Sequence, residues 1–434
     1  MNAKNFLRWM TAACVVLVSQ WAAAGPKIEH WTAPSGARVF FVENHALPML
    51  DVQVDFAAGA SRDPEAKSGL ASLTHALLDM GVEGMDENRI ASRLADVGAQ
   101  ISGGVDKDRA SISLRTLSMS DKRETALDIF RSVLTAPKFP ADVFDREKAR
   151  KVAALRESLT RPDTIASRAF WSASYPAHAY GRSATPESLE AIRRDDLEAF
   201  YRGNYSASGA VVTIVGDLTR SEAEAVARRL TAGLPGGIVP PSAEAPRLPV
   251  GGEQRIPHPA AQAHVLIGMP ALKRGDPDFF ALQVGNYTLG GGGFVSRLMR
   301  EVREKRGFAY SVYSYFMPMV HAGPFQIGLQ TKKEQAGQAL QVARDVLAAF
   351  LAEGPSEAEL QAAKQNIAGS FPLRLDSNRK ILDNVAVIAF YGLPLDYLDR
   401  YVENVEKVTA ADVRAAFSRH VTPENLVTIV VGSE

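Results

Sequence analysis

Cysteine is almost missing from this sequence: Cys14 is the single one among 434 residues. That excludes a disulfide scaffold, a cysteine-rich zinc module and an iron–sulfur cluster. A surplus of one charge is missing too, since Lys+Arg and Asp+Glu both number 49 and the formal net charge is zero. With no basic field to neutralise phosphates, nucleic acid is not an expected partner. Long hydrophobic runs are the third absence. Met10 to Val18 is too short to span a bilayer, and no other stretch is apolar enough to try. Lys4 and Arg8 precede that stretch and Ala22-Ala23-Ala24 follows it, which is the pattern of a secretory signal over residues 1–24. The expected mature chain begins near Gly25 without cysteine or membrane span. Its expected location is the periplasm or another exported compartment.

What is present is ordinary globular material, 46% hydrophobic and 23% charged, enough for a large core. It is organised as a repeat. Asp196 to Tyr201 reads as helix and is followed by the β-branched strand Val211 to Gly216. Asp412 to Phe417 followed by Leu426 to Gly432 repeats that order near the C-terminus. Between the copies Leu234 to Gly252 holds Pro235, Gly236, Gly237, Pro240, Pro241, Pro246 and Pro249, a composition that reads as linker. The expected division is a domain over 25–232, a linker over 233–254 and a second domain over 255–434. Val52, Val54 and Phe56 alternate with Asp51, Gln53 and Asp55, as in a half-buried strand. Leu70, Leu73, Leu77 and Met80 recur at helical spacing. Strands are also expected over Ala110 to Leu117, His264 to Met269 and Phe325 to Thr331. Helices are expected over Ala141 to Leu159, Pro277 to Leu289 and Glu334 to Leu351. The expected fold class is α+β: two homologous halves, each a mostly antiparallel sheet under one helical layer.

The stretch Ser68-Gly69-Leu70-Ala71-Ser72-Leu73-Thr74-His75-Ala76 resembles the metal-binding helix of the insulinase/pitrilysin-like peptidases. In active members His-x-x-Glu-His follows Gly-Leu-Ala and holds zinc and a general base. Here the three chemical positions fall on Ser72, His75 and Ala76, and counting onward to the family's third ligand reaches Ala153. The resemblance therefore implies a degenerate zinc motif with no metal in this chain. In the second half, Leu289-Gly290-Gly291-Gly292-Gly293-Phe294 and the run Arg297 to Ser314 resemble the family's substrate-contact segment. The family's Arg/Tyr pair maps onto Arg303 and Tyr310, and a glycine-rich contact loop maps onto Gly290 to Gly293.

This resemblance implies a clamshell of two halves and a non-catalytic, substrate-binding subunit of a heteromeric zinc endopeptidase. Zinc and the base would come from a homologous His-x-x-Glu-His partner, and the substrates would be peptides. Arg303 would offer N–H donors and charge to a developing oxyanion, and Tyr310 a phenolic O–H. Other readings stay open. The chain is alternatively a silent peptide-binding or structural homologue, or an enzyme with a metal site rebuilt on His75 and Asp79. On residues alone, Tyr310 shares a strand face with Val312 and Ser314 and reads as a sheet aromatic.

Overall fold

The computed structural model describes residues 25–237 and 244–433. The expected leader Met1 to Ala24 lies outside the described residues. The strands are β1 (Glu29–Thr32), β2 (Arg38–Glu43), β3 (Met49–Phe56), β4 (Gly81–Val82), β5 (Met85–Asp86), β6 (Gln100–Val105) and β7 (Ala110–Leu117). They continue with β8 (Val211–Gly216), β9 (Gly252–Pro257), β10 (Gln262–Leu272), β11 (Ala309–Phe316), β12 (Gly323–Lys332) and β13 (Val427–Ser433). One sheet runs β1-β2-β8-β3-β7-β6 and the other β11-β12-β10-β13-β9, with β4 and β5 as a separate hairpin. Taken from β6 and from β11, the two sheets have the same order of successive strands. Each contains one parallel pair, β2 with β8 and β13 with β9, and is otherwise antiparallel. The repeat in the sequence is thus a repeat of topology.

The linker is shorter than the expected 233–254, because Gly252, Glu253 and Gln254 already belong to β9. An edge position suits this Gly- and Pro-ended segment, since one side of the strand carries no ladder. Among the described residues no helix is long and apolar enough to cross a membrane.

One helical layer per sheet is an incomplete description. The outward face of the first sheet is covered by the helix Asn378–Tyr391, which belongs to the second half and packs across β3 and β8. Phe40, Val42, Val211 and Val215 accordingly join the second half's apolar core. Arg38 Nη1 donates to the Ala389 carbonyl at 3.1 Å, and Asn44 Nδ2 to Asn378 Oδ1 at 2.7 Å. The exchange is reciprocal. The helix Pro162–Ser174 of the first half packs across β10 and β13, where Ala166 and Phe170 meet Leu266, Val427, Ile429 and Val431.

This cover explains why β3 is buried on both faces rather than half-buried. Its polar residues are satisfied by a ladder to β7. Arg115 donates to Asp51 at 2.7 and 3.2 Å, Ser113 Oγ to Gln53 at 3.0 Å and Ser111 Oγ to Asp55 at 2.6 Å. Period-two alternation reports two chemically different faces, and here the polar face is a hydrogen-bonded interior.

Asp108 joins the halves a second time. Its carboxylate accepts from the Tyr180 hydroxyl, from the Val320 N–H at 2.9 Å and from the Tyr391 hydroxyl at 3.2 Å. Burial raises the Asp108 pKa despite these donors.

Candidate functional site

The second-half cluster begins where the helix Phe279–Asn286 ends in a wide turn, with the Gly292 N–H reaching the Tyr287 carbonyl at 2.8 Å. Most of the glycines here are packing residues. A Cβ on Gly290 would lie 2.5 Å from Ser314 N, one on Gly291 2.6 Å from Asn286 Nδ2, and one on Gly292 2.7 Å from the Tyr287 carbonyl oxygen. Gly293 has open space around it, and its φ of +60° is what favours glycine there. The turn delivers Phe294 and Val295 to the surface, 62% and 65% exposed. Phe294 belongs to the segment singled out in the sequence but carries no role in that reading; a large apolar residue directly after four glycines is the signal for one.

A second wide turn, Met299–Glu304, carries Arg303. Its guanidinium carbon lies 4.8 Å from the ring centre of Phe294 and 4.8 Å from that of Tyr310. Tyr310 is 83% exposed and does not share the face of Val312 and Ser314, which are buried. The cause is a bulge: Ala309 faces Thr331 and Ser311 faces Gln330, so Tyr310 is the extra residue. A bulge re-aims a side chain, and this one turns the phenol toward Arg303. The structure therefore assembles Gly293, Phe294, Arg303 and Tyr310 into one exposed cluster. An arginine held between two rings keeps its N–H groups free along its edges, in a plane suited to carbonyl or carboxylate oxygens.

The first-half motif folds differently from the expected long helix. The helix is only Leu70–Ala76, after which the chain turns at Leu77 and enters β4. Asp79 lies past the helix end, so His75 and Asp79 do not share a helical face. At the helix start the Asp63 carboxylate accepts from Gly69 N and Ala71 N, both at 2.7 Å. Opposite stands the helix Ala141–Ser158, but Ala153 on it is exposed. The residue that reaches across is Lys151, whose Nζ donates to Ser72 Oγ at 2.7 Å. His75 Nε2 lies 2.9 Å from the Ser111 carbonyl and donates to it, and burial lowers its pKa. A hydroxyl, a methyl, a committed imidazole and a neighbouring ammonium do not fit a zinc ion. Among the described residues a different trio, Asp276, Asp278 and His420, brings ligand-type atoms within 4.8 Å of one another. Arg419 already pairs both oxygens of Asp278 there, at 2.9 and 2.7 Å. The sequence separation from His420 hid this grouping.

Asp63 supplies a pH test of this corner. Burial raises its carboxyl from 3.8 to about 6, outweighing the two backbone N–H donors and the nearby Lys107 and Arg182. Between those values the folded chain binds more protons than the unfolded one, so stability falls as pH rises. Relative to Asp63→Asn, the wild type loses about 2 kcal/mol between pH 4 and 6. Urea melts of both proteins across that range measure it, and parallel stability–pH curves contradict it.

Comparison with known proteins agrees with the fold. Residues 38–185 match the model for insulinase (peptidase family M16), and residues 191–367 match the peptidase M16 inactive domain. The non-peptidase homolog YmxG of Helicobacter pylori is 25% identical over 91% of this chain and 92% of its own length. An uncharacterized zinc protease of Streptomyces coelicolor is 26% identical over 89% of this chain and 86% of its own length. The crystal structure of a peptidase M16 inactive domain from Pseudomonas fluorescens superposes with a TM-score of 0.90 at 39% identity. It covers 94% of this chain and 98% of that one. The chain belongs to the insulinase family of peptidases, M16.

Proposed function

We propose that this protein is the non-catalytic, substrate-binding subunit of a periplasmic heteromeric zinc peptidase. The observation that carries the reading is the clamped, solvent-facing Arg303 between Phe294 and Tyr310. A guanidinium and a phenol exposed together at a bulge suit recognition of a peptide carbonyl gaining charge in another chain's active site. The Lys151–Ser72 contact supports the complementary half of the reading, since an ammonium stands beside the positions that bind metal in active relatives. Zinc and the general base then belong to a homologous partner bearing His-x-x-Glu-His. The name of the Helicobacter relative, a non-peptidase homolog, favours the alternative of a peptide-binding homologue with no part in hydrolysis.

Co-purification with a zinc-bearing homologue, followed by metal analysis and peptide cleavage of each component, separates the two. The expected result is zinc in the partner alone and hydrolysis from the mixture at a rate neither chain reaches by itself. Stoichiometric zinc bound at Ser72 and His75, or cleavage by the isolated chain, overturns the proposal. A stable complex with no gain in hydrolysis favours the alternative.

A further inference from the structure

A cavity of about 390 Å³ lies between the helix Pro162–Ser174 and the face of the second sheet that this helix covers. Trp171 lines it from the helix, Tyr313 and Tyr315 from β11, Gln326 and Gln330 from β12, and His264 from β10. Its size suits one large side chain with the adjoining backbone.

The chemistry of the lining is selective. Lys and Arg are absent from it, and the one charged group is the Asp163 carboxylate, so an anionic occupant is disfavoured. Tyr313 and Tyr315 stack at 6.1 Å with 13° between their planes. Tyr175 stacks on Trp171 at 5.3 Å and the Lys107 ammonium lies over the same indole at 5.2 Å. Gln330 Nε2 is committed to Gln262 Oε1 at 2.5 Å. Gln326 is different. It is 6% exposed, lines the cavity, and makes no side-chain hydrogen bond with another described residue. Its amide opens onto the cavity, where it is available to pair with a polar group that enters.

We propose that the cavity receives a tyrosine side chain of an extended peptide, its phenol hydrogen-bonded to the Gln326 amide. This deepens the peptide-binding reading above and rests on it. The strand that carries Tyr310 also carries Tyr313 and Tyr315, about 10–17 Å further along at the usual strand rise. An extended peptide covers that distance in about three to five residues, so one chain can touch Arg303 and Tyr310 and also fill the cavity.

The test uses the mature full-length chain and fluorescein-labelled unstructured decapeptides differing at one position, Tyr, Phe or Glu, read by anisotropy. The tyrosine peptide binds roughly tenfold tighter than the phenylalanine peptide, and the glutamate peptide binds weakest. Gln326→Leu removes the tyrosine preference, whereas Tyr313→Ala, at a 42% exposed position, weakens both aromatic peptides without unfolding the chain. Equal binding of the three peptides, or a tyrosine preference that survives Gln326→Leu, overturns the assignment and leaves the broader reading standing. Binding of a neutral oligosaccharide in competition with the tyrosine peptide also overturns it. If none of the peptides binds, the peptide-binding reading itself fails.

Discussion

Replacing Arg303 with alanine lowers peptide turnover by the reconstituted pair about a hundredfold and leaves the two chains associated. The size follows from what is removed. A fixed cationic donor aimed at developing negative charge acts mainly in the transition state, so its loss appears in kcat more than in KM. Tyr310→Phe is milder, because the ring that stacks on the guanidinium stays and only the O–H goes. Phe294→Ala separates positioning from contact: Arg303 keeps its charge and loses one of its two ring walls. Each exposed ring contact is worth about 0.5–1 kcal/mol, so that variant falls between wild type and Arg303→Ala and is partly rescued by Phe294→Tyr. Steady-state kinetics with size-exclusion chromatography checks the series. Wild-type turnover from both Arg303→Ala and Tyr310→Phe removes the cluster from the reaction.

Truncating Phe170 to alanine destabilises the whole chain by about 3–5 kcal/mol. Phe170 is fully buried, and its ring tip would lie 3.0 Å from a Cβ on Gly268, so the ring sits directly on the second sheet. The neighbouring strand closes Gly268 from the other side, where the same Cβ would meet the Phe325 carbonyl oxygen at 2.0 Å. Collapse of the hole is therefore limited, which places the cost in the upper part of the range for large-to-small changes. Because the helix that carries Phe170 belongs to one half and its seat to the other, both halves lose stability in one transition. Urea unfolding followed by tryptophan fluorescence and far-ultraviolet circular dichroism tests this. A loss under 1 kcal/mol, or two separated transitions in the wild type, shows that the halves are independent.

Much of this architecture is legible in the residues. β3, β7, β8, β10, β12 and β13 follow from β-branched alternation, and the repeated helix–strand pair announces the duplicated sheet. Which sheet a helix covers is not legible. The apolar stripe of Asn378–Tyr391 states that something is covered, and nothing local distinguishes its own sheet from the neighbouring one. The polar face of β3 carries no mark of burial either, because Arg115, Ser113 and Ser111 satisfy it from β7. At the candidate site, Arg303 and Tyr310 stand out through their segment, while the bulge that brings them together depends on the register between β11 and β12. Lys151 is hidden for a related reason. Counting along the chain reaches Ala153, and helical phase decides which neighbouring residue faces Ser72.

The crossed helices bear on how the protein is made. The first sheet is complete once β8 has been synthesised, yet one of its faces has no cover until Asn378–Tyr391 follows. An apolar face left bare for so long invites aggregation during synthesis. The rungs of Asp51, Gln53 and Asp55 with their partners on β7 give that waiting surface a wettable stripe beside Phe40, Val42, Val211 and Val215. The same residues that fill the finished interior thus keep that face wettable in the nascent chain while its second half is still to come.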